Sequence, residues 1–199
     1  WEYGFEPEAG SAEARLADAI SSFKTQGVTD LVLDLRYNGG GYLFIASELA
    51  YMVAGADRTN RKTFERLQYN DKRAADTSNS DTPFYNVLCL PDSATGNCTS
   101  VGAELPVLTL SKVWVLAGPG TCSASEAIVN GLRGVDVQVN IIGGTTCGKP
   151  YGFTAKDNCG ISYFPIEFKG VNAKGFGDYT DGLTANCPAT DDFDRALGD

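Results

Sequence analysis

Leu31-Val32-Leu33-Asp34-Leu35-Arg36-Tyr37-Asn38-Gly39-Gly40-Gly41 sets the architecture of this chain. Its first five residues form a short apolar run, the pattern of a buried strand. Asn38 and three successive glycines then break that strand. Upstream, Ser11 to Phe23 puts Leu16, Ala19, Ile20 and Phe23 on one helical face, and Gly27 stops the helix. Downstream, Tyr42 to Val53 carries Leu43, Ile45, Leu49 and Met52 as the apolar positions of a second helix. Helix, strand, glycine turn, helix predicts an α/β protein.

The same grammar recurs further along. Val113 to Ala117 reads as a buried strand, Gly118 to Cys122 as a turn, and Ser123 to Leu132 as a helix. Val137 to Ile142 is a further strand and Gly143 to Gly148 a loop. Gly152 to Lys156 and Ile161 to Phe168 alternate in the β manner. Residues 57–105 are polar and read as irregular, with Thr63 to Gln68 a candidate strand and Asp71 to Pro83 an exposed loop. No repeat or linker divides the chain, so one domain over 1–199 is expected.

The 199 residues are 43% hydrophobic, enough for a sizeable core. The net charge of −9 argues against nucleic acid as a partner, because phosphate binding needs clustered Lys and Arg. The longest apolar runs, such as Val28 to Leu35, are too short to span a bilayer, and no membrane-spanning segment is expected. The opening Trp1-Glu2-Tyr3 does not read as a signal peptide.

The six cysteines are Cys89, Cys98, Cys122, Cys147, Cys159 and Cys187, and there is no histidine. Without CxxC pairs or histidine the cysteines read as disulfides, not as a metal site, and no cofactor is expected. Disulfides imply an oxidising, extracytoplasmic setting: periplasm, cell envelope or secretion. Six cysteines allow 15 pairings. Sequence proximity favours Cys89–Cys98. The missing histidine also excludes any Ser-His-Asp or Cys-His mechanism supplied by this chain, leaving Lys, Asp, Glu or Tyr as base.

Three glycine-bearing turns follow three expected strands: Asn38 to Gly41, Gly118 to Cys122, and Gly143 to Gly148. If those strands are parallel, the turns share the edge where α/β sites gather. Ser123 stands where the second turn enters a helix, beside unpaired amides. It is a candidate nucleophile, with the Ala124 amide and the glycine run as oxyanion donors. It is equally a good N-cap, with Glu126 at the capping-box position. Lys149 lies in a glycine-flanked loop. A lysine becomes a base when desolvated, but most single lysines are ordinary surface residues. Cys122 adjoins Ser123 and Cys147 lies two residues before Lys149, so a Cys122–Cys147 bridge would hold the two together. Cys159–Cys187 is then the remaining pair. Gly143 to Pro150 approaches a P-loop but ends in Pro150 where Ser or Thr should hold Mg²⁺, and the following segment looks extended, so no nucleotide is expected.

Residues 33–41, Gly120-Thr121-Cys122-Ser123-Ala124-Ser125-Glu126, and 142–149 together resemble the C-terminal processing peptidases, or tail-specific proteases, related to the tricorn core. The resemblance covers most of residues 3–168, with 57–105 divergent. It implies a crotonase- or ClpP-like ββα protease core in a single domain. It implies Ser123 as nucleophile, Lys149 as general base, and Gly40 or Gly41 with Ala124 as oxyanion hole. In many members a Gln four residues after the lysine orients it; here that residue is Phe153. The resemblance further implies a longer parent protein, with a PDZ domain and a C-terminal continuation outside this chain. The expected activity is endopeptidase cleavage of protein tails or unfolded proteins through an acyl-enzyme. The alternative is a non-catalytic module on the same fold that binds a hydrophobic ligand or a peptide.

Overall fold

A computed structural model describes residues 12–91, 98–192 and 194, and the side chains of 90–101 and 103 lie outside that description. In chain order the elements are α1 (Ala12–Thr25), β1 (Val32–Asp34), α2 (Leu43–Ala54), α3 (Ala56–Thr59), β2 (Thr63–Tyr69), α4 (Ala74–Thr77), β3 (Asp81–Pro83), β4 (Val87–Pro91), β5 (Cys98–Glu104) and β6 (Lys112–Ala117). There follow α5 (Ala124–Gly134), β7 (Gln138–Gly143), β8 (Tyr151–Phe153), β9 (Lys156–Asn158), β10 (Ile161–Tyr163), β11 (Ile166–Val171) and β12 (Cys187–Pro188).

The central sheet has the order β1-β6-β7-β12 and every pairing in it is parallel. Leu33 lies opposite Val115, and Val115 opposite Ile141. Val113, Val115 and Ile141 are fully buried, as a short apolar strand covered by helices requires. β1 is an edge strand with one face covered, so Leu31 and Leu35 flanking it are buried while Val32 on the opposite face is exposed. A second sheet, β3-β2-β11-β8, is antiparallel throughout. Helix α5 packs against β7, β2 and α2 and so joins the two sheets. Met52, Val53, Val129 and Leu132 fill the space between. The result is the expected mixed α/β architecture.

The described residues between 57 and 105 hold more regular structure than their polarity suggests. The expected loop at 71–83 contains a 3₁₀ turn at Asp71–Arg73, then α4 and β3. The polarity marks a solvated antiparallel face instead of a loop. Arg66 grips Asp81 across β2 and β3, at 2.5 and 2.8 Å. Arg73 bridges to Asp76 and to Glu167 of β11, both at 2.7 Å. The second half of the chain also differs in detail: in place of the two strands expected over Gly152 to Lys156 and Ile161 to Phe168 there are four, because a β9–β10 hairpin interrupts them.

Candidate active site

Parallel pairing of β1, β6 and β7 brings the three glycine turns to one sheet edge, and backbone bonds tie them together. Cys122 N–H donates to the Asn38 carbonyl (3.1 Å) and Cys147 N–H to the Thr121 carbonyl (3.0 Å). The buried Thr121 hydroxyl donates to the Leu35 carbonyl at 2.6 Å. The Ser125 hydroxyl reaches both the Asn38 carbonyl (3.1 Å) and its side-chain oxygen (2.9 Å). Asn38, legible in the sequence only as a strand breaker, is therefore the clasp between the first two turns.

Ser123 has φ 57° and ψ −117°. An ordinary N-cap lies in the extended region. A non-glycine residue in the left-handed half of the map is a strained conformation of the kind found at strand-to-helix nucleophile turns. Gly40 presses on it: a Cβ there would lie 2.8 Å from Ser123 Cβ, and φ is +121°, so only glycine fits. The Gly40 N–H is already engaged, donating to Asn38 Oδ1 at 3.0 Å. The Gly41 and Ala124 N–H groups have no such partner among the described residues.

Glu126 is the buried centre of the arrangement. One carboxylate oxygen accepts from the Thr146 hydroxyl (2.5 Å) and Gly148 N–H (2.8 Å). The other accepts from Ser123 N–H (3.0 Å) and Lys149 N–H (2.9 Å). One side chain thus fixes the backbones of both sequence-predicted residues. The capping-box spacing signals the bond to Ser123. It gives no hint of the partners at 146–149.

Ser123 and Lys149 line one cavity of about 270 Å³, shared with Glu65, Leu67, Phe168 and Tyr179. No hydrogen bond joins Ser123 Oγ to Lys149 Nζ among the described residues. Lys149 is exposed, not desolvated as expected of a lysine base. Its Nζ sits 5.8 Å from the centre of the Phe153 ring, a cation–π contact. Phe153 stacks edge-on against Phe164, with centroids 5.3 Å apart. The aromatic ring, not an amide, stands beside the lysine.

Cys122 and Cys147 form a disulfide with Cα atoms 5.3 Å apart. With Glu126 they make up the one cluster of metal-type ligands among the described residues, but the disulfide occupies both sulfurs. The Cys159–Cys187 pairing is not formed. Both thiols are free and exposed, Cys159 at the turn between β9 and β10 and Cys187 in β12 of the other sheet. Cys89 is buried and disulfide-bonded. Its expected partner Cys98 is placed opposite Pro91 in the β4–β5 ladder, with its side chain outside the described residues. Sequence reasoning also missed Glu65 and Tyr179. Glu65 shares a face of β2 with Leu67 and Tyr69, so a carboxyl on a half-apolar strand face was the available signal.

A family model described as peptidase family S41 matches residues 4–156. Among solved structures, a Bacteroides fragilis NCTC 9343 protein assigned to the S41 proteases is 29% identical, with a TM-score of 0.71 over 94% of this chain and 45% of its own. The photosystem II D1 C-terminal processing protease is 20% identical, with a TM-score of 0.62 over 96% of this chain and 46% of its own. Mature CPAF is 16% identical, with a TM-score of 0.54 over 92% and 43%. The last two are likenesses of fold alone. The chain spans less than half the length of each of these structures. No curated protein sequence matches it. No described helix is long and apolar enough to cross a membrane.

Proposed function

The chain belongs to peptidase family S41, and from that premise we propose that it is the catalytic core of a serine endopeptidase acting through Ser123 and Lys149. The observation that carries this reading is the shared anchor. A buried carboxylate holds the Ser123 and Lys149 backbones side by side at 3.0 and 2.9 Å, with Ser123 in a strained left-handed turn. Strain of this kind at a helix start aims a side chain outward and persists only where its surroundings enforce it.

In the proposed reaction, unprotonated Lys149 Nζ takes the Ser123 proton as Oγ attacks the scissile carbonyl carbon. The carbonyl oxygen becomes an oxyanion held by the Gly41 and Ala124 amides, each donor contributing about 3–4 kcal/mol. Gly40 serves by letting the turn approach Ser123. Lys149 then protonates the leaving amine, and water deacylates the enzyme with the same lysine as base. An exposed lysine is a poor base, so the substrate chain completes the site by covering Lys149 and excluding water. Protein tails or unfolded chains are the substrates that would lie across such an open edge. The disulfide supports an extracytoplasmic setting.

Ser123→Ala should cut cleavage of a casein-type substrate by roughly 10⁴–10⁶-fold, and Lys149→Ala by a comparable factor. Wild-type rates in Lys149→Ala would sink the dyad. One observation favours a second reading, a binding module: Lys149 is exposed and not bonded to Ser123. A serine-directed acylating probe separates the two. Labelling at Ser123 supports the peptidase, whereas no labelling with saturable binding of an apolar ligand supports the module.

A further inference from the structure

The cavity beside Ser123 has apolar walls from Leu43, Leu67, Ala127 and Phe168, and one carboxyl, that of Glu65. Glu65 is only 9% exposed, yet its carboxyl makes no hydrogen bond or ion pair among the described residues. A mostly buried carboxyl that faces a cavity with no partner among the described residues is costly and calls for an explanation. Lys149 lines the same cavity but its ammonium lies beside Phe153 and forms no ion pair with Glu65.

The strand pairing makes room for this carboxyl. Gly170 lies diagonally across from Glu65 in the β2–β11 ladder. A Cβ at Gly170 would fall 2.5–2.7 Å from the Glu65 carboxyl carbon and both its oxygens. The carboxyl therefore rests directly on the backbone of β11. The buried Tyr179 is the other polar side chain at this end of the cavity.

We infer that this cavity is a substrate subsite that takes a lysine or arginine side chain, with Glu65 as the residue that recognises its cationic head. The walls suit the aliphatic stem and the carboxyl suits the charge, the division of labour of amphipathic side chains. A volume of about 270 Å³ fits one side chain; whole-ligand pockets run from roughly 300 to 1,000 Å³. The chain's net charge of −9 adds long-range attraction for basic segments. The assignment of this side chain to the residue whose carbonyl is attacked rests on Ser123 being the nucleophile; the pocket's preference for a cation does not.

Burial pushes the Glu65 pKa up to about 7. The other titratable groups lining the cavity are Lys149, Tyr151 and Tyr179, with Glu126 beyond Tyr179. A cation binds the ionised carboxylate, so its affinity should rise from pH 6 to pH 8 as Glu65 loses its proton.

The test uses two peptides identical except for lysine or norleucine at one position, with arginine as a third. Their binding to Ser123→Ala is followed by fluorescence anisotropy, in the presence and absence of Glu65→Gln. The lysine and arginine peptides should bind on the order of 30-fold tighter than norleucine, the scale of a buried charge pair that loses one partner. Glu65→Gln should abolish that preference and its pH dependence. Thermal unfolding of Glu65→Gln checks that the fold is intact, and the pH 6 to 8 series on the Glu65-intact protein tests the same point without that variant. Equal affinity for lysine and norleucine, or no binding of any peptide, overturns the inference. Lysine preference without hydrolysis by wild type refutes the peptidase reading and leaves the pocket standing; hydrolysis without that preference does the reverse.

Discussion

A buried carboxylate that accepts four hydrogen bonds, as Glu126 does, strands several donors when it is changed. Glu126→Gln keeps the size but turns an acceptor into a donor. At least one of the facing groups then loses its partner, at roughly 1–3 kcal/mol each. The denaturant midpoint should fall with an unchanged slope, and turnover should fall with it because the 146–149 loop loosens. An unaltered midpoint would mean that other contacts hold that loop. This residue also marks the limit of sequence reading. Ser123 and Lys149 were legible because glycine turns and the missing histidine narrow the choices. Glu126 was legible only as a cap, since a spacing of three residues reveals a local bond and nothing of partners 20 to 23 residues away. Glu65 was hidden because its meaning depends on Gly170, a neighbour created by strand pairing.

Among the elements, β1, β6 and β7 could be read directly, since each is a short run rich in apolar residues that ends in a glycine-bearing turn. The candidate strand Thr63 to Gln68 is β2, but β3 and the 3₁₀ turn before α4 could not be read. Their order comes from ion pairs such as Arg66–Asp81 and Arg73–Glu167, made by the residues that look like loop composition. The junction of the Gly118–Cys122 turn and the 144–149 loop is held twice, by the disulfide and by Glu126. Replacing Cys122 and Cys147 by alanine opens a loop with a sequence separation of 25. Chain entropy alone then removes about 3.5 kcal/mol of stability. Cleavage should nonetheless persist, because the Glu126 bonds remain. A loss beyond about 10²-fold, the scale of a 1 Å misplacement, would show that the disulfide and not Glu126 sets the geometry.

For the molecule as a whole, the acidic balance includes acids that the fold buries at a cost. Glu48 of α2 is 1% exposed, and its carboxyl faces the carboxyl of Glu13 and pairs with no positive charge among the described residues. Burial, and then the facing Glu13 of α1, push its pKa from 4.5 up to about 9. The folded state therefore keeps a proton that the unfolded state releases. Its contribution to stability is intact below about pH 4.5 and is lost as pH rises towards 9, amounting to about 3 kcal/mol by pH 7. Glu65 acts with the same sign between 4.5 and 7. Thermal scans should show a higher midpoint at pH 5 than at pH 8, and Glu48→Gln should narrow the gap. A wild-type midpoint that climbs with pH over this range would contradict that linkage. Farther out on the surface, Cys159 and Gly160 have φ of 51° and 75°, the two left-handed residues of a type I′ hairpin turn. The exposed thiol thus rides at the tip of the β9–β10 hairpin, and Phe164 just beyond it stacks on Phe153 beside Lys149. With Cys187 changed to serine, that thiol becomes a built-in attachment point for a fluorophore, whose emission would announce a peptide arriving at the cleft in real time.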